Sequence, residues 1–138
     1  MSKLPTDRQV LRCIYETYSS AYPGPAPEGG GRPPNDPFVP VDLRAVAVKL
    51  NVQPELLFGR LYYHLEAKHR YQQSSGAWVN LFLLDIQRKG HSVNFPYLAA
   101  LLAGHDQEHR KQLLSLCFSL IAIGLSLASL IVSVLGKH

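Results

Sequence analysis

LLSLCFSLIAIGLSLASLIVSVL, residues 113–135, is a segment of 23 residues without a charged side chain. At about 1.5 Å per residue, a helix of this length reaches roughly 34 Å, enough to cross a hydrocarbon core of ~30 Å. Because that core offers no water, the backbone must satisfy its own hydrogen bonds, and a single segment does so only as a helix. A chain of 138 residues could hardly bury a core helix that is apolar on every face. The segment therefore predicts a transmembrane helix and a tail-anchored protein.

The distribution of charge predicts the topology. The stretch MSKLPTDRQ at the start contains no apolar region of the kind that signal peptides have. Arg110 and Lys111 directly precede the apolar segment, and residues 1–112 contain 13 Lys and Arg against 10 Asp and Glu, a net charge of +3. By the positive-inside rule, these charges predict a cytoplasmic N-terminal domain and a single pass across a bacterial inner membrane. Residues 105–112, which directly precede the apolar segment, are predicted to form a juxtamembrane helix. Lys137 is a weaker opposing signal.

Residues 1–22 predict the first helix of the cytoplasmic domain. Thr6 or Asp7 can cap a helix that runs to about Ala21. Its apolar stripe has helical spacing and comprises Val10, Leu11, Ile14, Tyr15 and Tyr18. The next segment, PGPAPEGGGRPPNDPFVP (residues 23–40), is dominated by Pro and Gly and predicts a flexible loop.

The segment after the loop carries the pattern of two helices joined by a tight turn. Asp42 can cap a helix over residues 43–50, and Asn51 tolerates the left-handed conformation of a turn. Pro54 suits the first turn of a second helix. The inner face of that helix comprises Leu57, Leu61 and Leu65. The segment resembles a helix-turn-helix. The small residue Ala47, the turn residue Asn51 and the apolar residues Val52 and Leu57 occupy positions where that motif usually has residues of these kinds.

The residues after the second helix fit the wing of a winged-helix domain. Residues 68–73 can form one strand, Ser74 to Gly76 a turn, and residues 77–84 the returning strand. The alternative is a helix, because apolar side chains also recur at helical spacing and a basic pair precedes Gly90. The residues that carry this alternative are Val79, Phe82, Leu83, Ile86, Arg88 and Lys89. The Gly turn after a helix-turn-helix favours the wing.

Asn94 can cap a last helix that begins near Pro96 and runs into the apolar segment. The whole chain then resembles a winged-helix domain with a membrane anchor. The predicted fold class is α+β and mostly helical. It consists of a small winged-helix-like domain, with its core over residues 41–104, followed by a single C-terminal transmembrane helix.

The sequence does not predict an enzyme. His105 to His109 match the H-x-x-E-H pattern of inverted zinc peptidases. Such a site needs a third protein ligand and a substrate cleft, and only 29 residues follow His109. Cys13 is predicted in a cytoplasmic helix and Cys117 in the membrane, so they cannot pair. We therefore predict no catalytic residues, no metal and no cofactor.

Two kinds of partner remain open for the domain. The side chains that could contact nucleic acid are Arg60, Tyr63, His64, Lys68, Arg70 and Gln72. Glu55 and Glu66 on the same helix would oppose the approach of phosphates. Winged helices also serve as protein-interaction modules, and fold alone does not distinguish these functions. We expect the domain to hold a cytoplasmic protein partner at the lipid bilayer, with a membrane-bound DNA-binding transcription regulator as the alternative.

The apolar segment itself carries a possible contact between helices. Small residues recur with heptad spacing at Ser119, Ala122, Ser126, Ser129 and Ser133. This seam predicts a homodimer with a left-handed crossing, whereas Gly124 and Ala128 offer a competing right-handed face. A serine hydroxyl can instead bond to the carbonyl four residues earlier in its own helix. A small oligomeric membrane effector is the third function that such a seam fits.

Overall fold

The computed structural model of the chain describes residues 4–22, 36–85 and 90–136. The chain divides into two compact units, Met1–Leu102 and Ala103–His138. The first unit combines helices with small sheets, and the second consists of helix in its described residues. A mixed α+β, mostly helical fold with a long C-terminal helix is therefore confirmed.

The first helix, α1 (Asp7–Tyr18), begins where its capping residues predict. Thr6 is the N-cap, and it forms a reciprocal capping box with Gln9. The predicted apolar stripe faces the core, with Val10, Leu11 and Ile14 fully buried. The helix ends three residues before the predicted Ala21, because a 3₁₀ turn, Ser19–Ala21, follows it.

The two helices of the predicted helix-turn-helix are present. Helix α2 (Leu43–Leu50) begins after Asp42, whose carboxylate accepts hydrogen bonds from the backbone N–H groups of Arg44 and Ala45. Asn51 adopts the left-handed conformation, with φ of 52° and ψ of 48°. Helix α3 begins with Pro54–Gly59, continues as a π-helical segment, Arg60–Glu66, and ends with the turn Ala67–His69. Its inner face buries Leu57, Leu61 and Leu65.

In the residues that the structure describes, five short strands form two antiparallel sheets. They are β1 (Phe38–Val41), β2 (Tyr71–Gln72), β3 (Trp78–Val79), β4 (Phe82–Asp85) and β5 (Gly90–Asn94). The larger sheet has the order β1-β5-β4, and β2 pairs with β3 in the smaller one. Val93 of β5 lies opposite Val39 on one side and Phe82 on the other. This row of buried side chains packs with the inner faces of the helices.

Strand β1 corrects the predicted loop over residues 23–40. Val39 and Val41 are buried while Pro40 between them is exposed, which is the alternation of a half-buried strand. Pro40 has no N–H to donate, but it is tolerated because β1 lies at the edge of its sheet. The loop prediction for residues 23–35 lies outside the described residues.

The strands also correct the predicted wing. Lys68 and His69 belong to the last turn of α3, where the N–H of Arg70 still donates to the carbonyl of Glu66 at 2.9 Å. The strand predicted over residues 68–73 is therefore limited to β2. Residues 77–84 are extended, in agreement with the strand that was preferred over a helix, but they form two strands instead of one. Residues 86–89, which the helical alternative included, lie outside the described residues.

The two strands separate at Leu81 because this region turns towards α3. Leu81 is buried, and Oε2 of Glu66 accepts hydrogen bonds from the N–H groups of Leu81 and Phe82 at 2.8 and 2.7 Å. Strand β4 then pairs with β5 instead of with β2. The smaller hairpin of β2 and β3 is thus distinct from the antiparallel pair β4–β5.

The last helix, α4 (Phe95–Leu135), spans 41 residues. The N–H of Tyr97 donates to Oδ1 of Asn94 at 3.3 Å, so the predicted cap is confirmed within one residue of the expected start. Phe95, Leu98 and Leu102 are buried in the first unit. From residue 107 to residue 136 every side chain is exposed, and the helix is long and apolar enough to cross a membrane.

Candidate interaction site

Three basic side chains of α3 converge on Asp7 at the start of α1. Nε and Nη2 of Arg60 donate to Oδ1 of Asp7 at 3.0 and 2.7 Å. Nε2 of His64 lies 3.0 Å from Oδ2, and Nζ of Lys68 lies 3.7 Å from the same oxygen. Positions 60, 64 and 68 are spaced by four and therefore share one side of the helix. Three of the six residues predicted to contact nucleic acid are thus paired with a carboxylate of their own domain.

The environment of Asp7 favours its ionised form. Burial raises the pKa of Asp7, but hydrogen bonds to His64 and Arg60 outweigh burial and hold it below the ordinary value of 3.8. The side chain is only 16% exposed. Its place in the first turn of α1 adds the favourable interaction of a carboxylate with the helix dipole. The cluster therefore fastens α1 to α3 at neutral pH.

The other three predicted nucleic-acid contacts lie elsewhere. The guanidinium carbon of Arg70 lies 5.4 Å from the centre of the Trp78 ring, and Nε2 of Gln72 donates to the carbonyl of Gly76 at 2.9 Å. Both belong to the hairpin of β2 and β3. Tyr63 on α3 is 80% exposed and lies edge-on to Phe58, with 6.1 Å between ring centres. The structure does not gather the six side chains into one basic patch.

The outer side of α3 instead exposes apolar side chains. Leu56 is 55% exposed, and Tyr63, which is 80% exposed, lies further along the helix beside Phe58 and Gly59. Val48 on α2 is 79% exposed, and Leu4 is exposed before α1. Leu4 and Leu56 line two adjoining depressions, one of which Val48 also lines, and we call these three residues, Leu4, Val48 and Leu56, the α3 apolar face. Exposed leucine and valine side chains grouped in this way form a candidate contact surface.

A hollow in this face can accept a side chain. It has a volume of about 110 Å³ and is lined by Leu4, Pro5, Val52, Leu56, Leu57 and Arg60. An apolar cavity of about 150 Å³ is large enough for a benzene ring, so this hollow suits one aliphatic side chain. A shallower depression on the other side of Leu56 continues it towards Val48. The α3 apolar face is therefore concave beside Leu56.

Leu4, Val48 and Leu56 were not among the residues predicted from the sequence. Leu56 lies next to Leu57, which is one of the predicted inner positions of α3, but Leu56 is 55% exposed whereas Leu57 is buried. The available signal was that Leu56 does not belong to the inner row at positions 57, 61 and 65. Leu4 could not be assigned because its place follows from a contact between α1 and α3.

An aromatic cluster connects the inner side of α3 to the larger sheet. The hydroxyl of Tyr62 lies 2.9 Å from Nδ1 of His91 and 3.2 Å from the carbonyl oxygen of Leu83. Burial, with a smaller effect from Glu66, raises the pKa of Tyr62 to about 12. The rings of Phe58 and Tyr62 pack 4.7 Å apart. The cluster borders an open cleft of about 640 Å³ between α2, α3 and the start of β5.

The predicted seam of small residues lies along α4. Oγ of Ser119 donates to the carbonyl of Ser115 at 2.9 Å, and Oγ of Ser126 donates to the carbonyl of Ala122 at 2.8 Å. These two hydroxyls thus bond within their own helix, which was the alternative use considered for them. Ser129 and Ser133 continue the same row and are exposed.

Within the parts of the chain that the structure describes, no three His, Cys, Asp or Glu side chains lie close enough to hold a metal ion. Comparison of the chain with protein-family models, curated proteins and solved structures gives no significant match. Function is therefore inferred from the surfaces of the domain itself.

Proposed function

We propose that this chain is a membrane-anchored protein whose domain, residues 4–102, is a winged-helix-like module that binds a protein partner through the α3 apolar face. Helix α4 crosses the bilayer once, and the domain lies on the cytoplasmic side. The domain has no catalytic function in this proposal. It holds its partner at the membrane surface.

The order of elements supports a winged-helix-like domain. A helix-turn-helix is followed by the antiparallel pair β4–β5, whose second strand returns to pair with β1. In this arrangement β4 and β5 take the place of the wing, and the hairpin of β2 and β3 is an addition between α3 and the wing.

One observation carries the choice of a protein partner over DNA. A helix that reads bases exposes Arg, Lys, Asn or Gln to the groove. The outer side of α3 instead presents Leu56 and Tyr63, while Arg60 is paired with Asp7. Exposed apolar side chains around a small hollow suit a protein partner, because aromatic and aliphatic anchors in pockets dominate the energy of such interfaces.

The apolar part of α4 supports the membrane anchor. Residues 113–135 contain no charge, and the helix around them is exposed to its surroundings. Arg110 and Lys111 precede this segment, and such cations favour the cytoplasmic side. Replacing Ile123 and Leu127 with Arg should release the chain from membranes, since each mid-span charge costs ~2.5–3.5 kcal/mol on insertion scales. Carbonate extraction of membranes measures this release.

The partner is tested with a matched pair of leucine substitutions. The full chain is purified in detergent as bait, and proteins that bind it are compared between Leu56→Ser and Leu84→Ser. Both leucines are about half-exposed, but Leu84 lies on β4 away from the α3 apolar face. We expect Leu56→Ser to weaken the partner roughly tenfold or more, as the loss of an interface anchor does. Leu84→Ser should leave binding unchanged.

The same preparation tests the alternative of a DNA-binding regulator. Duplex DNA of mixed sequence is titrated at about 50 and 200 mM salt, where phosphate contacts produce a steep loss of affinity. We expect only weak binding. Tight binding that Arg70→Ala weakens for all sequences, together with equal partner capture by the two leucine variants, would contradict the proposed function.

A further inference from the structure

The hairpin of β2 and β3 exposes the single tryptophan of the chain. Trp78 is 58% exposed, and Tyr71 on the opposite strand is also exposed. Residues 71–78 are exposed without interruption, so the hairpin forms a ribbon on the surface of the first unit. A tryptophan in water loses the free energy that burial of its large apolar area would provide. The exposed position therefore suggests a surface that covers the ring.

The hairpin is held in place at its base. The hydroxyl of Tyr97 donates to the carbonyl of His69 at 2.6 Å, and the ring of Tyr97 lies edge-on to Tyr71 with 5.7 Å between centres. Arg70 lies over the ring of Trp78 in cation–π geometry. Because cross-strand partners share a side of a hairpin, Trp78 lies on the same side as Gln72, whereas Tyr71 lies on the opposite side and packs on Tyr97. Trp78 and Arg70 are thus presented together on a fixed support.

The segment that contains the hairpin has basic but no acidic side chains. Residues 67–84 contain no Asp or Glu, whereas Lys68 and Arg70 are basic, and the acids Glu66 and Asp85 flank this range. The preceding carboxylate, Glu66, is occupied by the two backbone N–H groups at the start of β4. The hairpin and its base therefore combine aromatic and cationic groups.

We infer that this hairpin docks on the headgroup region of an anionic bilayer, with Trp78 at the interface and Arg70 beside lipid phosphates. Tryptophan and tyrosine are enriched at this depth of membrane proteins, and arginine places its charge among the headgroups while its stem stays in apolar surroundings. The inference rests on the proposed membrane anchor. Ten residues, 103–112, separate the domain from the apolar segment, so even a fully extended tether holds it within roughly 35 Å of the bilayer.

Trp78 is its own reporter in the experiment. The full chain is reconstituted into lipid nanodiscs with neutral lipid alone or with added phosphatidylglycerol. The emission of Trp78 is measured with lipids brominated near the headgroup and with acrylamide in the water. We expect a shift to shorter wavelength and quenching by brominated lipid in the anionic discs, with protection from acrylamide. Arg70→Gln should lower the ratio of docked to undocked domain about fivefold, the effect of one basic residue near an anionic surface.

A second reporter provides the control. In the variant that combines Trp78→Phe with Tyr63→Trp, the fluorophore lies on the exposed side of α3, and acrylamide should quench it while brominated lipid should not. If the chain stays with the discs but acrylamide quenches Trp78 completely, this result overturns the docking of the hairpin and leaves the anchor intact. A chain that separates from the discs overturns the anchor and the docking together. Equal quenching in neutral and anionic discs overturns the role of Arg70.

Discussion

Arg60 donates two hydrogen bonds to one oxygen of Asp7, at 3.0 and 2.7 Å, across a sequence separation of 53 residues. The pair joins the first turn of α1 to the middle of α3 beside the α3 apolar face. Asp7 and its basic partners lose hydration when they pack together. Removal of the carboxylate would therefore leave the positive charges without a compensating negative charge. The position of α3 against α1 thus depends on a charge as well as on apolar packing.

Asp7→Asn is expected to destabilise the domain by about 1–3 kcal/mol, the range for hydrogen bonds to charged groups. The amide keeps the shape of the side chain but leaves Arg60, His64 and Lys68 without an anion. Urea titration of the full chain in detergent micelles, followed by circular dichroism, measures the change. Glu16→Gln removes one negative charge from an exposed position on the same helix and serves as the control. Equal effects of the two substitutions would show that only net charge matters.

The effect of Asp7 should disappear in acid. Its pKa in the folded state is lower than the ordinary value of 3.8, so its contribution to stability is complete above that value. The contribution is lost as the pH falls through the lowered pKa, because Asp7 is then protonated in both the folded and the unfolded chain. The difference in unfolding free energy between the native chain and Asp7→Asn should therefore shrink below about pH 4. A difference that stays constant into stronger acid would contradict this role.

Tyr62→Phe tests the connection between α3 and the sheet. Loss of the hydroxyl that lies between His91 and Leu83 should cost about 1 kcal/mol. The pKa of Tyr62 is raised from 10.0 to about 12, so its stabilising effect is complete below pH 10 and is lost as the pH rises towards 12. The native chain should therefore lose stability more steeply than Tyr62→Phe in this interval. Tyr63→Phe, which changes an exposed hydroxyl on the same helix, should follow the native profile.

The helices were predictable because their signals are local. Thr6 and Asp42 cap helices that begin immediately after them, and Asn51 occupies the left-handed turn that its side chain tolerates. Strand β1 was missed because Pro40 interrupts a four-residue pattern, and its pairing with β5 joins distant parts of the chain. The end of α3 was placed too early because Lys68 and His69 carry no apolar periodicity.

The candidate site was only partly predictable, for the same reason. Arg60 and Tyr63 lie off the inner row of Leu57, Leu61 and Leu65, and Tyr63 is exposed while Arg60 is partly buried. The pairing of Arg60 with Asp7 could not be derived, because it depends on how α1 crosses α3 rather than on residue spacing. That contact changes the chemistry of the face, from basic side chains free for phosphate to apolar side chains beside basic side chains that are paired with a carboxylate.

Two glycine substitutions should have opposite effects. Gly59 has helical angles, φ of −57° and ψ of −42°, and an added Cβ would lie 3.7 Å from Cδ2 of Tyr63, an ordinary contact. Gly59→Ala should therefore stabilise the domain by about 0.5–1 kcal/mol. Gly76 has φ of +87°, so Gly76→Ala should strain the hairpin and cost about 1–2 kcal/mol. Urea titration measures both, and destabilisation by Gly59→Ala would contradict the helical geometry around Tyr63.

The seam of α4 gives the last prediction. Leucine at Ser119, Ser126 and Ser133 should separate two helices that pack left-handed on this side, since small residues permit their close approach. Because the hydroxyls of Ser119 and Ser126 bond within their own helix, the loss should arise mainly from packing. It should exceed the ~0.6 kcal/mol typical of one hydrogen bond between membrane helices.

A membrane two-hybrid reporter fused to residues 110–138 ranks the seam variants against matched controls. Valine at Leu116, Ile123 and Leu130 changes apolar side chains off the seam and should leave the signal intact. Gly124→Leu blocks the competing right-handed face, so loss of signal in this variant alone would place the contact there. An unchanged signal in every variant would leave α4 as an anchor without a specific helix partner, because a bulky side chain on a packed face cannot be accommodated without a loss of contact.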